Sequence, residues 1–373
     1  MEKGNKKFHI LDRYAGIPIV FFLGLFKKNN DKPQHLNRIA ILNIGSIGDN
    51  VLMSAAIADL RVKYPKAVIE AFTGGTNYEI VKLIDGINKV TKLPITNPLA
   101  TVKILKSAEK FDVVFDFGPW PRLNAIYAFF TPAKYRIGFK SPKQYRHYVY
   151  NQTVEHKNTV HEIDNHRTLI SDFVDGERYM PQLTYTPVKK VQDFIVEAGN
   201  YCIIHPWAGG LNSALKQWDN KRWAELIYAI AKDFDSIIIT GAPADIEDSS
   251  ALVSLIDTTL LKCNLLNVAG LFNIPEVVQL VDYSQCVICV DTGVSHIAAA
   301  LDKKLICLQG PASSLRWRPY NDTNAIVINP DSGTYGYLSF GYEYDKAKEH
   351  CMDNIKVTNV FSAYERLMVK IEE

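Results

Sequence analysis

The chain alternates short, continuously apolar runs with stretches of helical periodicity, and this alternation limits the folds open to it. The first run, residues 38–44, is followed by a glycine-containing turn and a helical pattern over 49–63 with its apolar residues on one side. Continuous apolar runs are typical of strands buried on both faces of a parallel sheet. Further strands are predicted at 68–72, 111–116 and 135–139, and further helices at 77–85, 99–109 and 121–130. The pattern predicts an α/β domain.

A second series of the same kind follows the stretch Met180-Pro-Gln-Leu-Thr-Tyr-Thr-Pro187. It predicts strands at 201–205, 236–240, 265–268, 287–290 and 304–308 and helices at 188–198, 219–233, 245–256, 274–283 and 294–301. We therefore predict two doubly wound, Rossmann-like domains, 37–183 and 184–352, that face each other across a cleft, and a closing helix within 353–373. Ligands of such sheets bind outside the carboxyl ends of the strands, so the chemistry is expected on strand-to-helix loops.

Charge and cysteine placement narrow the classes of function. The formal net charge is only +2, without the strongly basic balance of nucleic-acid-binding domains, so no nucleic-acid partner is predicted. The six cysteines lie mostly inside apolar runs, as reduced thiols of a cytosolic protein do. Cys286 and Cys289 form a Cys-x-x-Cys pair, but residues three apart on a strand point to opposite faces. We interpret the pair as buried core and not as a zinc or redox site.

The N-terminus carries an apolar run, residues 14–26, flanked by basic residues. These are Lys6, Lys7, Arg13, Lys27 and Lys28. The run is shorter than the roughly 20 residues of a spanning helix and contains Pro18, and no small-residue cleavage site follows it. Two interpretations remain open. In the first, residues 14–28 lie in the plane of a membrane surface, with the lysines at anionic headgroups. In the second, they pack on their own protein. Polar residues 29–34 predict a linker, so residues 1–36 form a separate segment.

The turn after the first predicted strand, Gly45-Ser-Ile-Gly-Asp49, is the first candidate site. Its glycines allow a ligand to approach the backbone, and the N–H groups of the following helix face outward. Asp49 has two interpretations. It is the N-cap of that helix, or it is a general base that faces the ligand.

The turn after the strand at 287–290 is denser in polar groups. Asp291-Thr-Gly-Val-Ser-His296 brings a carboxylate, two hydroxyls and an imidazole to the start of a helix. It is either an elaborate helix cap with a buried histidine or a binding site for the phosphate or ribose of a nucleotide sugar.

Other strand ends carry weaker signals. Lys216 follows the first strand of the second domain and can bring positive charge to a diphosphate, or it is a solvated lysine beside the anchor Trp218. The segment 240–245 fits a turn with an aspartate cap at least as well as a ligand contact. Asp233-Phe-Asp235 has the spacing of metal-dependent transferases, but it lies between a helix and a strand, which predicts a surface turn. No metal site is predicted.

Taken together, these segments resemble glycosyltransferase family 9, the bacterial lipopolysaccharide heptosyltransferase family, over about residues 38–364. The strongest parts of the resemblance are the opening strand with Gly48-Asp49 and the element Asp291-Thr-Gly-Val-Ser-His296. Further segments that carry it are Phe115-Asp-Phe-Gly118 with Arg122, Arg136-Ile-Gly-Phe139, His161-Glu-x-x-x-x-Arg167, Lys216-x-Trp218, Gln309-Gly-Pro311, Arg316-Trp-Arg-Pro-Tyr320 and Cys351-Met-x-x-Ile355.

The resemblance implies a GT-B fold and assigns roles to named residues. Asp49 is implied as the catalytic base, Lys216 as a contact to donor phosphate, and Arg122 as a residue of the acceptor side. Four more residues are implied to hold the donor: Asp291, Thr292, Gly293 and His296. The resemblance further implies ADP-heptose as the donor, a lipopolysaccharide-core or related glycolipid as the acceptor, no cofactor, and a cytoplasmic enzyme peripheral to the inner face of the cytoplasmic membrane.

The hypothesis for the reaction is a single inverting displacement. Asp49 takes a proton from the acceptor hydroxyl as that oxygen attacks the anomeric carbon, and the nucleoside diphosphate leaves from the opposite face. Lys216 and the helix N–H groups near Thr292 and Gly293 stabilise the leaving charge without a metal. Basic residues of the first domain suit an anionic acceptor or are solvated surface charge: Arg122, Lys134, Arg136, Lys140, Lys143 and Arg146. Two alternatives remain, a GT-B-like nucleotide-sugar epimerase and a non-catalytic sugar-nucleotide-binding protein.

Overall fold

The computed structural model describes residue 10 and residues 12–176, 178–210, 213–330 and 350–369. Contacts divide the chain into two units, Met1–Gln182 and Leu183–Glu373. The division falls one residue before the predicted boundary and inside the proline-bearing stretch. Parts of every predicted segment lie outside the described residues: 1–9 and 11 of the N-terminal segment, 177 of the first domain, 211–212 and 331–349 of the second domain, and 370–373 of the closing helix. The described residues contain no helix long and apolar enough to cross a membrane.

Unit 1 is built on a parallel sheet of six strands in the order β3-β2-β1-β4-β5-β6. The strands are β1 (Arg38–Leu42), β2 (Val68–Thr73), β3 (Lys89–Lys92), β4 (Phe111–Asp116), β5 (Ala133–Lys140) and β6 (Gln152–Glu155). The helices are α1 (Gly16–Leu25), α2 (Ile47–Lys63), α3 (Tyr78–Val81), α4 (Pro98–Lys106), α5 (Arg122–Phe130) and α6 (Glu162–Ile170). Chain order reverses between β1 and β4, and sheets of this type bind ligands at that point.

Unit 2 repeats the arrangement, with the strand order β12-β11-β10-β7-β8-β9 and parallel pairing throughout. The strands are β7 (Tyr201–His205), β8 (Ser236–Ile239), β9 (Asn264–Asn267), β10 (Cys286–Val290), β11 (Leu305–Leu308) and β12 (Ala325–Ile328). The helices are α7 (Lys189–Ala198), α8 (Asn220–Ile230), α9 (Ile246–Ser254), α10 (Ile274–Tyr283), α11 (Gly293–Ala300), α12 (Ser314–Trp317) and α13 (Val357–Val369). Here chain order reverses between β7 and β10.

The predicted doubly wound α/β architecture is present in each unit, with additions at the sheet edges. Every predicted strand exists within two residues of its predicted ends. Among the described elements, the strands β3, β6 and β12 and the helices α6 and α12 were not predicted, and the apolar run at 14–26 contains helix α1. The edge strands β3 and β6 are only partly buried, and each contains a single apolar residue, a valine, so they lack the continuous apolar run of a central strand. The helix predicted at 77–85 is the shorter α3.

The Cys-x-x-Cys pair lies in the core, as predicted. Cys286 and Cys289 are fully buried on β10, which is itself buried along its whole length. Their partners across the sheet are also cysteines, Cys202 beside Cys286 and Cys307 beside Cys289. Burial raises the pKa of the Cys289 thiol well above its ordinary value. These cysteines therefore act as small core residues.

Candidate active site

The turn after β1 closes the start of α2 with its own side chains. Ser46 is the N-cap, and Asp49, three residues later, completes a capping box. The Asp49 Oδ2 atom accepts hydrogen bonds from the Ser46 backbone N–H and from its hydroxyl, both at 2.7 Å. The interpretation of Asp49 as the N-cap is therefore wrong by three residues. Ser46 is the N-cap, and Asp49 is the third residue of the helix.

Gly45 makes room for this arrangement. A side chain there would bring its Cβ within 2.8 Å of the Asp49 Oδ2 atom and 2.9 Å of the Asn43 Oδ1 atom. The Asn43 side chain in turn accepts the Gly45 N–H at 2.9 Å. Asp49 is half-buried at the carboxyl end of β1, beside the point where chain order reverses. Its carboxylate is held in one orientation at the position where such a sheet binds ligands.

A histidine on the unpredicted helix α6 lies near Asp49. Burial lowers the pKa of His166 to about 4, although the carboxylates of Glu162 and Asp49 act to raise it. His166 is therefore neutral at physiological pH, and within the described chain its Nδ1 atom has no hydrogen-bond partner. Only the motif His161-Glu-x-x-x-x-Arg167 pointed to this helix, because α6 has few apolar residues.

Glu162 holds another histidine. Its carboxylate lies 2.9 Å from the Nε2 atom of His156, and the Asn165 amide donates to it at 3.0 Å. The rings of Trp120 and Phe139 meet the His156 ring edge-on. This buried group connects α6 to the loop after β4.

At the end of β4, Asp116 is fully buried and paired with a cation. Its Oδ2 atom accepts hydrogen bonds from Arg146 at 2.6 Å and from the Tyr150 hydroxyl at 2.5 Å. A Cβ at Gly138 would lie 2.2 Å from the Tyr150 ring, so glycine is required for this ring position. Arg146 is 0% exposed, so it belongs to neither predicted class of basic residue, acceptor-facing or solvated. It is an internal counter-ion.

Arg122, predicted on the acceptor side, forms an ion pair with Asp12 of the N-terminal segment. It donates to the Asp12 carboxylate at 2.9 Å and to the Lys143 carbonyl at 3.0 Å, and it is buried. The backbone N–H of Leu123 also donates to Asp12, at 3.1 Å. These contacts tie residues before α1 to the start of α5. An acceptor role for Arg122 stays a prediction.

The turn after β10 differs from the turn after β1. Thr292 is the N-cap of α11 by position, but its side chain makes no capping hydrogen bond. The Ser295 hydroxyl donates to the Thr292 carbonyl at 2.7 Å, so it does not cap the helix either. His296 is buried, as one interpretation required. The elaborate side-chain cap of that interpretation is absent from this turn, since neither the Thr292 nor the Ser295 hydroxyl accepts an N–H group at the start of α11.

Lys216 lies beside this turn. It ends a short 3-10 helix, residues Ser213–Lys216, and its Nζ atom is 2.5 Å from the Asp291 Oδ2 atom. The side chain of Lys216 is 22% exposed and that of Asp291 7% exposed. Trp218 is anchored by a hydrogen bond from its Nε1 atom to the Ile355 carbonyl at 2.9 Å. The tryptophan is thus the predicted anchor, whereas the lysine is paired and not solvated.

Two polar groups at the ends of β7 and β11, the strands on either side of β10, were not predicted as site residues. The His205 Nδ1 atom lies 2.8 Å from the Thr240 hydroxyl, and burial lowers the pKa of His205 to about 4. Gln309 follows β11 and is fully buried, yet within the described chain neither atom of its amide has a hydrogen-bond partner. A buried amide without partners costs free energy unless a ligand satisfies it. Gln309 appeared in the sequence only as part of a motif.

The weaker candidate segments turn out to be structural. Asp245 accepts the Ala242 N–H at 2.8 Å, which is the predicted aspartate-capped turn. Asp233 accepts the Tyr364 hydroxyl at 3.0 Å, and Asp235 accepts the Asn200 N–H at 2.8 Å, so the Asp-x-Asp pair fastens a turn. Across the residues the structure describes, no cluster of three histidine, cysteine, aspartate or glutamate side chains could hold a metal ion.

The N-terminal helix α1 is apolar on both sides. On one side Val20 is fully buried, and Gly16 and Gly24 lie against Arg122 and Tyr148 so closely that an added Cβ at either glycine would come within 2.9 Å. The other side is exposed and carries Ile19, Phe21, Phe22, Leu25 and Phe26. The segment therefore packs on its own protein and also presents an apolar face outward.

Comparison with known proteins identifies the class. The family model for glycosyltransferase family 9 (heptosyltransferase) matches residues 107–338. Lipopolysaccharide heptosyltransferase 3 of Escherichia coli K12 is 24% identical over 340 residues, covering 86% of this chain and 95% of the relative. Lipooligosaccharide heptosyltransferase 2 of Haemophilus influenzae is 22% identical over 307 residues, covering 78% and 88%.

Solved structures share the fold. Escherichia coli ADP-heptose lipopolysaccharide heptosyltransferase II aligns with a TM-score of 0.73 at 18% identity, covering 90% of this chain and all of that one. A glycosyltransferase family 9 protein from Veillonella parvula aligns with a TM-score of 0.75 at 16% identity, covering 92% and 100%. The predicted GT-B class of two doubly wound α/β units is confirmed. The chain belongs to glycosyltransferase family 9, and it is a glycosyltransferase; neither the epimerase nor the non-catalytic alternative is supported.

Proposed function

We propose that this enzyme is an inverting heptosyltransferase that moves a heptose from ADP-heptose to a lipopolysaccharide-core or related glycolipid acceptor. The names of the relatives support this substrate class, since they are lipopolysaccharide and lipooligosaccharide heptosyltransferases. A solved relative with the same fold is described as a complex with ADP-2-deoxy-2-fluoro heptose. The residues of both units support a division of labour between acceptor activation and donor binding.

The observation that carries the donor proposal is the Lys216–Asp291 pair beside the uncapped start of α11. A diphosphate is stabilised by a nearby cation and by helix N–H groups. Lys216 is partly exposed and close to that helix start, and Thr292 leaves its hydroxyl out of the cap. In this proposal the donor phosphates draw Lys216 away from Asp291 and take the N–H groups of α11, while Asp291 and His296 hold the rest of the nucleotide sugar.

Asp49 is the proposed base. As the acceptor oxygen bonds to the anomeric carbon, its proton passes to the Asp49 carboxylate and the bond to the diphosphate breaks. The hydrogen bonds from Ser46 to Oδ2 fix the orientation of the carboxylate without protonating it. His166 stays neutral close by, because burial lowers its pKa to about 4. We propose that the reaction needs no metal, since Lys216 and the α11 N–H groups supply the positive charge the leaving group requires.

The proposal places the enzyme at the inner face of the cytoplasmic membrane, where α1 rests its exposed apolar face in the interface. Exposed apolar patches of this kind mark interaction surfaces, and aromatic and leucine side chains beside lysines are typical of interfacial helices. Lys27 and Lys28 follow the helix directly. A glycolipid acceptor would then be met at the surface where it resides.

Donor binding by isothermal calorimetry tests the central part of the proposal. The wild-type enzyme is titrated with ADP, UDP, GDP and ADP-heptose, and then Lys216→Ala and the matched surface variant Lys221→Ala are titrated with the ligand that binds best. Loss of a charged hydrogen bond should weaken binding by Lys216→Ala roughly 10- to 100-fold, with Lys221→Ala unchanged. Circular dichroism confirms that both variants remain folded.

The outcomes separate the parts of the proposal. Selective binding of ADP species that depends on Lys216 supports the donor site and justifies assays with acceptor glycolipids. A preference for UDP or GDP removes ADP-heptose as the donor but leaves the site in place. Equal weakening by Lys221→Ala, or no nucleotide binding by the wild type, overturns the assigned donor site.

A further inference from the structure

Unit 1 contains a cavity of about 940 Å³ at the edge of the sheet away from Asp49. It lies between the segment that follows α1, residues 26–37, and the amino ends of β4 and β5, with Lys110 before β4 and Ala133 at the start of β5. The strands are parallel, so these amino ends lie at the edge opposite the carboxyl end of β1, where Asp49 follows. The cavity is therefore separate from the candidate active site.

The cavity is lined with an excess of positive charge. Five lysine or arginine side chains and two aspartates contribute to its wall, a formal excess of three positive charges. The five cations are Lys27, Lys28, Lys110, Lys134 and Arg136. A concave surface with this balance attracts an anion.

The charge of one of the two aspartates is already balanced by an ion pair. Asp112 accepts the N–H groups of Asn37 and Arg38 at 2.8 and 3.0 Å and the Lys134 ammonium at 2.7 Å. Burial acts to raise the pKa of Asp112, but the bonds from Lys134 and from the two backbone N–H groups outweigh it, and the pKa is lowered. This carboxylate stays ionised and its oxygens are used, so among the residues that line the cavity Asp31 is the remaining carboxylate to oppose Lys28 and Lys110.

The cavity is continuous with the exposed apolar face of α1. Phe26 lines the cavity and is 74% exposed, and it follows Leu25, the last residue of the helix. The Lys27 ammonium is fixed on the Tyr150 carbonyl at 2.8 Å, and the Asn151 amide holds the Lys28 carbonyl at 2.8 Å. Lys27 and Lys28 are thus held in place where the apolar face of α1 ends. A headgroup site must lie there if the acyl chains are to contact the apolar face.

We propose that this cavity binds the phosphate headgroup of an anionic phospholipid, with Lys28 and Lys110 as its principal contacts, while the exposed face of α1 lies in the acyl boundary. The inference rests on the membrane association proposed above and adds a preference for anionic lipid to it. Membrane attachment by α1 depends on buried apolar area and on a general attraction between basic residues and anionic lipid, whereas the cavity holds one headgroup at a fixed place.

Vesicle flotation tests the site. The full-length enzyme is mixed with vesicles of phosphatidylcholine alone or of equal parts phosphatidylcholine and phosphatidylglycerol, at low salt. Three variants accompany it: Lys28→Ala/Lys110→Ala, the matched surface pair Lys66→Ala/Lys103→Ala, which carries the same charge change outside the cavity, and Phe22→Ser/Phe26→Ser. Each surface lysine contributes of the order of a fivefold change in partition, so the cavity pair should weaken binding to anionic vesicles roughly 10- to 30-fold. Binding to neutral vesicles should not change.

The outcomes distinguish this inference from the proposal beneath it. If the wild type floats equally with both vesicles and only Phe22→Ser/Phe26→Ser reduces flotation, membrane association stands and the headgroup site falls. If Lys66→Ala/Lys103→Ala reduces binding to anionic vesicles as much as the cavity pair does, the effect is due to general surface charge. That result also rules out the headgroup site. Absence of flotation with either vesicle overturns both. Calorimetric binding of free glycerol phosphate without anionic-vesicle preference identifies a soluble phosphate ligand and overturns the lipid assignment.

Discussion

The turn after β1 and the turn after β10 each follow one of the two strands at which chain order reverses in their sheet, yet the helices that begin there are capped differently. In unit 1, Ser46 and Asp49 satisfy the start of α2 with a capping box. In unit 2, Thr292 stands at the N-cap of α11 without capping it, and the adjacent carboxylate of Asp291 is paired with Lys216 instead. One helix start is closed by its own residues and the other is left open.

The difference indicates what each turn can do. The capping box occupies the Asp49 N–H and places a carboxylate in the first turn of α2, so the turn after β1 offers an oriented carboxylate that repels an anion. An uncapped start beside a partly exposed lysine offers N–H donors and positive charge, which suit a diphosphate. Two turns at the same topological point therefore suit proton transfer in one unit and phosphate binding in the other.

The largest effect is expected from removing the negative charge at the closed turn. Asp49→Asn keeps an oxygen for the Ser46 N–H, so folding should hold, while turnover should fall roughly 10²- to 10⁴-fold because the general base is lost. Donor affinity measured by calorimetry should remain within a few-fold. Asp245→Asn is the matched control, because Asp245 also accepts a backbone N–H in a capping turn and should not affect turnover. Turnover equal to that of the control would remove Asp49 from the reaction.

Each turn has a buried histidine near it, and both should make the enzyme acid-sensitive. Burial lowers the pKa values of His166 and His205 from 6.5 to about 4. Above pH 6.5 neither state of the protein binds the proton. Between pH 6.5 and pH 4 these histidines are protonated in the unfolded chain but not in the folded one. The free energy of unfolding therefore falls as the pH is lowered to 4. The loss is about 3 kcal/mol for each histidine.

Urea denaturation between pH 7 and pH 4 measures this loss. His166→Gln and His205→Gln should each remove their own share of the pH dependence, while His35→Gln, at an exposed position, should remove none. An unchanged slope in both buried-site variants would contradict the assigned pKa values. If only one variant flattens the curve, the acid sensitivity belongs to a single unit.

Closing the open turn should trade donor affinity for stability. Thr292→Asp supplies α11 with a capping carboxylate, which should raise the free energy of unfolding by about 1 kcal/mol. The same negative charge opposes a diphosphate, so ADP binding should weaken about tenfold. Asn273→Asp is the control, since Asn273 already caps α10 in an exposed capping box and should change neither quantity. Stabilisation without loss of ADP binding would show that the donor phosphates lie elsewhere.

The central strands were predictable because burial on both faces leaves a continuous apolar run, as in β1, β4 and β10. Edge strands are less predictable, because they are only partly buried and need no continuous apolar run. The sequence of β3 is Lys-Val-Thr-Lys and that of β6 is Gln-Thr-Val-Glu, and half-buried edges of this kind look like loops. Helix α6 was missed for a related reason, because four of its seven buried residues are charged or polar: Glu162, Asn165, His166 and Arg167.

The positions of the candidate residues were predictable at strand ends, but their partners were not. Lys216 and Asp291 are 75 residues apart in the chain, and only the pairing of β7 with β10 brings them together. The Asp12–Arg122 pair spans 110 residues, and the packing of α1 on α5 brings it together. Local pattern indicates where a side chain stands along the chain, whereas the strand order decides which side chain it meets.

The smallest effect should come from loosening the closed turn. Ser46→Ala removes the hydroxyl that bonds to Asp49, which should cost about 1 kcal/mol of stability. Asn97→Ala removes a comparable N-cap, at α4, and should cost a similar amount. If the cap serves only the helix, turnover is the same in both variants. If it also orients the base, Ser46→Ala alone loses turnover, by a few-fold, with KM unchanged. Equal turnover in thermally matched variants would assign the capping box to folding, and the difference between the two turns would then concern stability more than chemistry.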